Sequence, residues 1–264
     1  MKLYQTFLLA FCGLFLFSCN LMTKKTESTS EPETKAIVIE KLMNSPQYED
    51  AELLLVQPDA TQTLSNSEVN FDFNVLNYEL GAITESVNTE VLANSAKGQH
   101  IHFILNNEPY SAHYESSFSK NIPEGVHHLV AFLSRSYHES VKNKNSVIAT
   151  KIQVGDDDTN SIGFDMNAPT LIYSRPKGTY KGQDTGSILL DFFLFNTELS
   201  EEGNYVKASI NETSFDLYKW VPYVIKNLPI GENTITLSLV NSEGELIEGP
   251  FNSVTRTITL SEGE

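Results

Sequence analysis

Two stretches of the chain, FDFNVLNYEL at residues 71–80 and LDFFLFNTEL at residues 190–199, match each other at an offset of 119 residues. A second pair, NIPEG at residues 121–125 and NLPIG at residues 227–231, matches at an offset of 106, and an alternating apolar stretch follows each pentad. Self-similarity of this kind indicates two copies of one structural unit. The change of offset places an insertion in the first copy, near residues 81–97.

The apolar pattern of each copy predicts an all-β fold. Short apolar or alternating stretches are separated by Gly, Pro, Asn and Ser, and no convincing amphipathic helix appears in either copy. Regular short strands in about 100 residues predict an antiparallel β-sandwich. The Asn-x-Pro-x-Gly turn before a strand resembles the entry to strand F of immunoglobulin-like and fibronectin-III-like modules. The strands predicted for the first copy are residues 53–56, 69–76, 101–105, 127–133 and 147–154.

These patterns predict two tandem sandwich domains behind a leader and a tether. The Asp-rich start of the linker is interpreted as a solvated charge run and not as a calcium site, because no bidentate carboxylate follows at loop spacing. The predicted boundaries are 1–18 for the signal peptide, 19–47 for the lipidated Cys and flexible tether, 48–154 for the first domain, 155–167 for the linker and 168–264 for the second domain.

The N-terminus carries a targeting signal. The apolar run of residues 7–17 is too short to span a membrane, which takes about 20 residues, and is typical of a signal-peptide core. The following Leu16-Phe17-Ser18-Cys19 resembles the lipobox of bacterial lipoproteins. This resemblance implies cleavage before Cys19, acylation of that residue and membrane anchoring through lipid; Asn20 implies the outer membrane of the cell envelope. An ordinary secretory signal with an incidental Cys19 is the alternative.

The amino-acid composition of the chain limits the kinds of partner that it can bind. The chain has two cysteines, Cys12 in the predicted signal and Cys19, so the mature protein is expected to form no intramolecular disulfide. Loss of residues 1–18 would leave 17 basic and 34 acidic residues, a net charge of −17. Such a chain is repelled by nucleic acid, and it suits cations or a basic partner.

All six histidines fall in the first copy, and the second copy shows that the scaffold does not require them. The aligned residues of the second copy are Tyr205, Lys207, Tyr218, Asn233 and Thr234, while the alignment around the last histidine is less secure. The six are His100, His102, His113, His127, His128 and His138.

Strand alternation places some of these side chains on one face. His100 and His102 point away from the core side of their strand, as does His128 in a later strand. In an immunoglobulin-like sandwich these strands, C and F, are neighbours, so the three imidazoles are predicted to converge. With His138 or His113 they would form a copper or zinc site. Exposed structural histidines beside a domain contact remain the alternative.

The same face carries a predicted pocket. Val130 and Phe132 place apolar bulk where a solvated surface is expected, and the insertion near residues 81–97 can fold over it. Arg135 and Glu139 are predicted to pin the adjoining loop by an ion pair.

Four segments resemble the marks of an uncharacterised family of bacterial envelope proteins. They are GQHIH at residues 98–102, PEGVH at 123–127, SRSYHES at 134–140 and YSRPKG at 173–178. The third segment departs from the family, which has Pro-Trp where this chain has Ser136-Tyr137. The resemblance covers both copies, and it implies the tandem architecture and the histidine face but no reaction.

The predicted function is that of a non-catalytic binding or assembly module of the envelope, for protein or glycan. Metal handling through the histidine face is the alternative. An enzyme is not predicted, because the sequence has no cofactor fingerprint and no strand–Gly-x-Ser-x-Gly–helix context.

Overall fold

The computed structural model describes residues 35–59, 63–65 and 67–263. The predicted signal peptide, the lipobox and Cys19 lie outside the described residues. Within the described part of the chain, no helix is both long and apolar enough to cross a membrane.

The described residues form seventeen β-strands and two short 3₁₀ helices, Val87–Glu90 and Gly182–Thr185. The strands are β1 Val38–Lys41, β2 Glu52–Gln57, β3 Thr63–Leu64, β4 Glu68–Leu76, β5 His100–Leu105, β6 Ser111–His113, β7 Ser117–Asn121, β8 Gly125–Ser134, β9 Val147–Val154, β10 Thr170–Arg175, β11 Gly178–Lys181, β12 Ile188–Phe195, β13 Tyr205–Ile210, β14 Thr213–Leu217, β15 Tyr223–Lys226, β16 Gly231–Val240 and β17 Ser253–Ser261.

The strands build the same two-sheet sandwich twice. The first module has sheets β2-β4-β7 and β3-β9-β8-β5-β6, and the second module has β10-β12-β15 and β11-β17-β16-β13-β14 in the same order. In both modules the short strands β3 and β11 pair in parallel with the last strand, and the long pairings are antiparallel. Alternate residues such as Phe71 and Phe103, or Phe192 and Leu237, fill the space between the sheets. The predicted immunoglobulin-like and fibronectin-III-like sandwich fold is confirmed.

The second module receives an extra strand from the segment ahead of the first module. β1 pairs antiparallel with β15, with Ile39 opposite Ile225, and Asn227 donates its side-chain amide to the carbonyl of Ala36 at 2.8 Å. The prediction of a flexible tether over residues 19–47 is therefore wrong for residues 38–41. The physical reason is that Ile37 and Ile39 point to the same side and pack on the second core, while Val38 between them is exposed, so this segment behaves as an edge strand.

The two modules pack face to face. The outer face of β5 and β8 meets the outer face of β10 and β12, and Phe132 contacts Phe193 at a ring-centroid distance of 4.4 Å. A buried ion pair, Lys142 to Asp191 at 2.7 Å, also crosses the contact. The expectation of a solvated face at Val130 and Phe132 is therefore wrong, since both are fully buried in an apolar cluster that residues of the second module complete. Residues 36–264 form one compact unit.

The predicted linker joins this contact. Residues 155–169 form bends and turns, in agreement with their polar sequence. Phe164 is nevertheless buried in the cluster between the modules, and its ring lies 5.2 Å from the ring of His128. The linker thus helps to fix one module on the other.

Candidate metal centre

Three of the six histidines converge at the junction of the modules. The ring nitrogens of His100, His102 and His138 lie within 4.8 Å of one another. We call these three residues the histidine cluster. The first two come from β5, and the third comes from the loop that follows β8.

The strand β5 brings His100 and His102 to the same face because side chains two residues apart point in the same direction. Both are fully buried, and their Nε2 atoms are 2.9 Å apart. His100 Nδ1 lies 2.8 Å from the carbonyl oxygen of Gly98. Because a carbonyl only accepts, Nδ1 carries the proton, and the lone pair of Nε2 is directed into the cluster. Such an outer hydrogen bond orients an imidazole for a metal.

His138 joins the cluster through an unusual backbone conformation. Its φ is 70°, in the left-handed region that costs a bulky residue free energy. The equivalent loop of the second module places Gly244 at the same point, with φ of 82° and the same turn hydrogen bonds. His138 therefore occupies a position that the scaffold gives to glycine in the other copy. Its Nδ1 reaches within 3.2 Å of His100 Nε2.

The loop that presents His138 is held by buried charges. Arg135 Nη1 lies 3.1 Å from Glu139 Oε1, so the predicted ion pair is present. Arg135 also donates to the carbonyl of Ser140 at 2.8 Å, and Glu139 accepts from Ser45 at 2.5 Å. Arg135 also donates from Nε to the carbonyl of Pro46 at 3.1 Å, so both ends of the loop are tied to the segment after β1.

His128 does not join the cluster, and its prediction as a ligand is wrong. In the pairing of β5 with β8, His102 lies opposite Phe132 and not opposite His128. Four residues of strand separate Phe132 from His128, a distance of about 13 Å. His128 packs instead against Phe164 and Phe251 in the contact between the modules.

The remaining two histidines have structural positions. His113 pairs opposite Ile101, which places it on the core side, where it stacks on Phe118 at 3.4 Å. His127 donates from Nε2 to the carbonyl of Pro123 at 2.8 Å, and its Nδ1 accepts from the side-chain amide of Asn106 at 2.9 Å. Neither side chain is in the histidine cluster.

Aromatic and cationic residues that sequence reasoning missed surround the cluster. Tyr110 stacks on His102 at 3.5 Å, and its hydroxyl lies 3.3 Å from His138 Nδ1. From the second module, Ser174 Oγ lies 3.4 Å from His102 Nδ1, and Lys177 Nζ lies 3.7 Å from the centre of the Tyr110 ring. In the sequence, the YSRPKG segment is the signal for these second-module residues, and it does not by itself indicate a role at the site.

Burial controls the protonation of the cluster. Burial lowers the pKa of His100 to about 4, and it lowers the pKa of His102 and His138 well below their usual value. The imidazoles are therefore neutral at physiological pH, which is the form that binds metals.

The geometry of the cluster fits a transition metal with nitrogen ligands. Zinc–nitrogen bonds of about 2.0–2.1 Å place two nitrogens of a tetrahedral site about 3.3–3.4 Å apart. The separations are 2.9 Å between His100 and His102 and 3.2 Å between His100 and His138, and the three ligand atoms lie within 4.8 Å of one another, so binding requires His102 and His138 to move closer together. Ser174 can accept the Nδ1 proton of His102, which frees its Nε2 for an ion.

Of the predicted pocket residues, only the charged pair lines an open cavity. Arg135 and Glu139 border a cleft of about 470 Å³ between the segment after β1, the loop after β8 and the second module. Trp220 lines the opposite side, and its indole donates to the carbonyl of Phe192 at 2.8 Å. Val130 and Phe132 lie in the packed contact between the modules and do not line this cleft.

Comparisons with known proteins add little beyond the fold. No protein-family model and no curated protein matches the chain. Among solved structures, it is similar to the fibronectin(III)-like modules of Clostridium thermocellum CbhA, with 10% identity over 80% of this chain and 94% of that chain and a TM-score of 0.28.

Two further solved structures are similar at the same level. The tandem V-type regions of VCBP3, a v-region-containing chitin binding protein, are 7% identical over 80% of this chain and 99% of that chain, with a TM-score of 0.22. Domains 4 and 5 of the S-layer protein SbsC are 9% identical over 80% and 97%, with a TM-score of 0.21. Scores this low carry no argument about function, and the resemblance to the envelope family stays a prediction.

Proposed function

We propose that this protein is a non-catalytic binding protein of the bacterial envelope that holds a copper or zinc ion in the histidine cluster. The observation that carries the proposal is the convergence of three neutral imidazoles, two of them fully buried and the third, partly buried, presented from a left-handed backbone position. A histidine at that position is costly for the fold, and the other copy of the scaffold uses glycine there. A requirement for its side chain accounts for this difference.

Metal titration of the full chain tests the proposal. Cys12→Ser and Cys19→Ser are included so that no thiol competes for the ion. We expect one zinc(II) or copper ion per chain and a rise in thermal midpoint, because an ion that binds only the folded state adds about 2.7 kcal/mol at a hundredfold excess over Kd. Absence of both would refute the proposal.

Two substitutions taken from the second module make this test specific. His138→Gly installs the residue found at the equivalent position, so the loop keeps its backbone conformation while metal binding is lost. His128→Thr is the matched control, because it also removes a buried histidine but lies outside the cluster. Equal metal binding in wild type and His138→Gly would show that the cluster is not the site.

Recognition of a glycan or protein partner is a second candidate function, and the cleft beside Trp220 favours it. The cleft combines an indole with paired charges and amide groups, which is a surface suited to a polar ligand. Trp220 is the sole tryptophan of the chain, so its fluorescence reports on the cleft alone. A saturable change on addition of a defined oligosaccharide, absent when Gln47→Ala and Asn143→Ala remove cleft amides, would support this function; no response across a panel would count against it.

The envelope location is part of the proposal and has its own test. Cys19→Ser is expected to move the protein from the membrane fraction to the soluble envelope fraction, with loss of the acyl mass. Continued membrane association of this variant would exclude the lipid anchor.

A further inference from the structure

The charges around the histidine cluster distinguish between the ions that it could hold. Every group that contacts the cluster is neutral or cationic. The ligands themselves are three imidazoles, their neighbours Tyr110 and Ser174 are uncharged, and none of the ion pairs in the described residues includes a cluster residue. A dication in this site would therefore keep its full charge.

Cations from the second module lie next to the cluster without carboxylate partners. Arg175 is buried, donates from Nη1 to the hydroxyl of Tyr180 at 3.1 Å and has a buried Nε without a partner. Lys177 donates to the carbonyl of Tyr110 at 2.6 Å and lies over its ring. Within the described residues, neither cation lies within 4.0 Å of a carboxylate. In a chain of net charge −16, this is a local concentration of uncompensated positive charge.

The positive potential of these two residues reaches the ligands. Both cations lie over the ring of Tyr110, which stacks on His102 at 3.5 Å: Lys177 Nζ is 3.7 Å and Arg175 Cζ is 5.5 Å from the centre of that ring. The same potential opposes any bound cation in proportion to its charge. Burial acts in the same direction, because the cost of removing an ion from water increases steeply with its charge.

We propose that the ion held by the histidine cluster is monovalent copper rather than zinc or another dication. This inference rests on the proposed function. Three neutral nitrogens suffice for copper(I), whereas zinc(II) would need a water or hydroxide as its fourth ligand and would bring twice the charge next to Arg175 and Lys177. The second module thus sets the ion preference of a site whose ligands all belong to the first module.

The experiment compares how two ions respond to the same loss of charge. Copper(I) and zinc(II) affinities are measured anaerobically on the full chain with Cys12→Ser and Cys19→Ser, by competition with chromophoric chelators. In Arg175→Gln with Lys177→Gln, both affinities should rise, and the gain for the dication should be the square of the gain for the monocation. We expect about tenfold for copper(I) and about a hundredfold for zinc(II).

A second variant and a control keep this test decisive. Lys177→Gln alone, at a partly exposed residue, replaces the double variant if the latter does not fold, and the same squared relation is expected. Lys151→Gln, which is exposed on β9, removes one positive charge away from the cluster and should change neither affinity.

The outcomes separate this inference from the proposed function. If wild type binds neither ion, the proposed function fails. If it binds zinc(II) more tightly than copper(I), or if charge removal changes both affinities by the same factor, the proposed function stands and the preference for a monovalent ion is overturned.

Discussion

Strand β8 of the first module and its equivalent β16 of the second module occupy the same position in the sandwich. The outer face of β8 is apolar, whereas the outer face of β16 is polar. Val130 and Phe132 of β8 are fully buried against the second module. Their counterparts on β16, Thr236 and Ser238, make hydroxyl hydrogen bonds to neighbouring Thr255 and Ser253 on an exposed surface. The same strand of the scaffold is therefore part of the contact between the modules in the first copy and faces solvent in the second copy.

The contact between the two copies is also where the candidate metal ligands lie. The histidine cluster, Tyr110 and the cations of the second module all lie at the contact, and the free face of the second module has Tyr205 and Lys207 at the positions of His100 and His102. The buried contact excludes water from the imidazoles and keeps them neutral. The candidate ligands all belong to the first module, and the second module contributes the neighbouring Ser174, Arg175 and Lys177.

The largest expected effect comes from separating the copies. Residues 168–264 alone lack β1 and expose Ile172 and Phe193, which are fully buried in the chain. We expect this fragment to show no cooperative thermal transition by circular dichroism, although the duplication by itself predicts that it folds. Residues 36–264 serve as the control, and a cooperative transition of the fragment would show that the second module is autonomous.

Alanine substitutions at equivalent positions of β8 and β16 test whether only the first module uses this face for packing. Phe132→Ala should lower the free energy of unfolding by about 3–5 kcal/mol, because it leaves a cavity beside Phe193. Ser238→Ala, at the equivalent exposed position, should change it by less than about 0.5 kcal/mol. Denaturant unfolding of the full chain measures both, and similar losses would contradict the asymmetry of the two faces.

Acid should weaken the contact between the modules through His128. Burial lowers the pKa of His128 to about 4, below the 6.5 expected in the unfolded chain. The unfolded state therefore binds the proton more readily, and the contribution of this residue is complete above pH 6.5 and is lost as the pH falls towards 4. The loss is about 2 kcal/mol at pH 5.

His128→Thr, which carries the residue found at position 234, is the variant for this measurement. Its free energy of unfolding should fall less between pH 7 and pH 5 than that of wild type. An unchanged pH dependence would mean that the pKa of His128 is the same in the folded and unfolded chain, so that burial does not lower it.

The smallest expected effect concerns the left-handed position of His138, and it tests whether this residue serves metal binding or the stability of the fold. His138→Gly relieves backbone strain but adds freedom to the unfolded chain, so the free energy of unfolding should change by less than about 1 kcal/mol. Gly244→Ala, at the equivalent point, should cost about 1–2 kcal/mol, since φ there is 82° and a Cβ would lie 3.2 Å from the Tyr205 hydroxyl. A large loss in His138→Gly would show that this histidine serves the fold.

The faces of His100, His102 and His128 on their own strands followed from the sequence, but their neighbours across the sheet did not. Alternation along β5 placed His100 and His102 together, and the copies agreed on which side is core. His128 shares their side of the sheet, yet the register places Phe132 opposite His102. The register between two strands depends on loop lengths and on the packing of the whole sheet, so it cannot be deduced from the sequence of a single strand.

By itself, the sequence determined the duplicated sandwich, because strand periodicity and turn residues are local properties that both copies repeat. Only the tertiary structure decided that the outer face of the first module is dry, that β1 completes the second module and that His138 enters the cluster from a glycine-like turn. It also brought Arg175 and Lys177 to histidines more than 30 residues away along the chain. Each of these features depends on two surfaces that are far apart in the sequence and fit together in the fold. A local sequence pattern describes one such surface but does not identify the surface that it contacts.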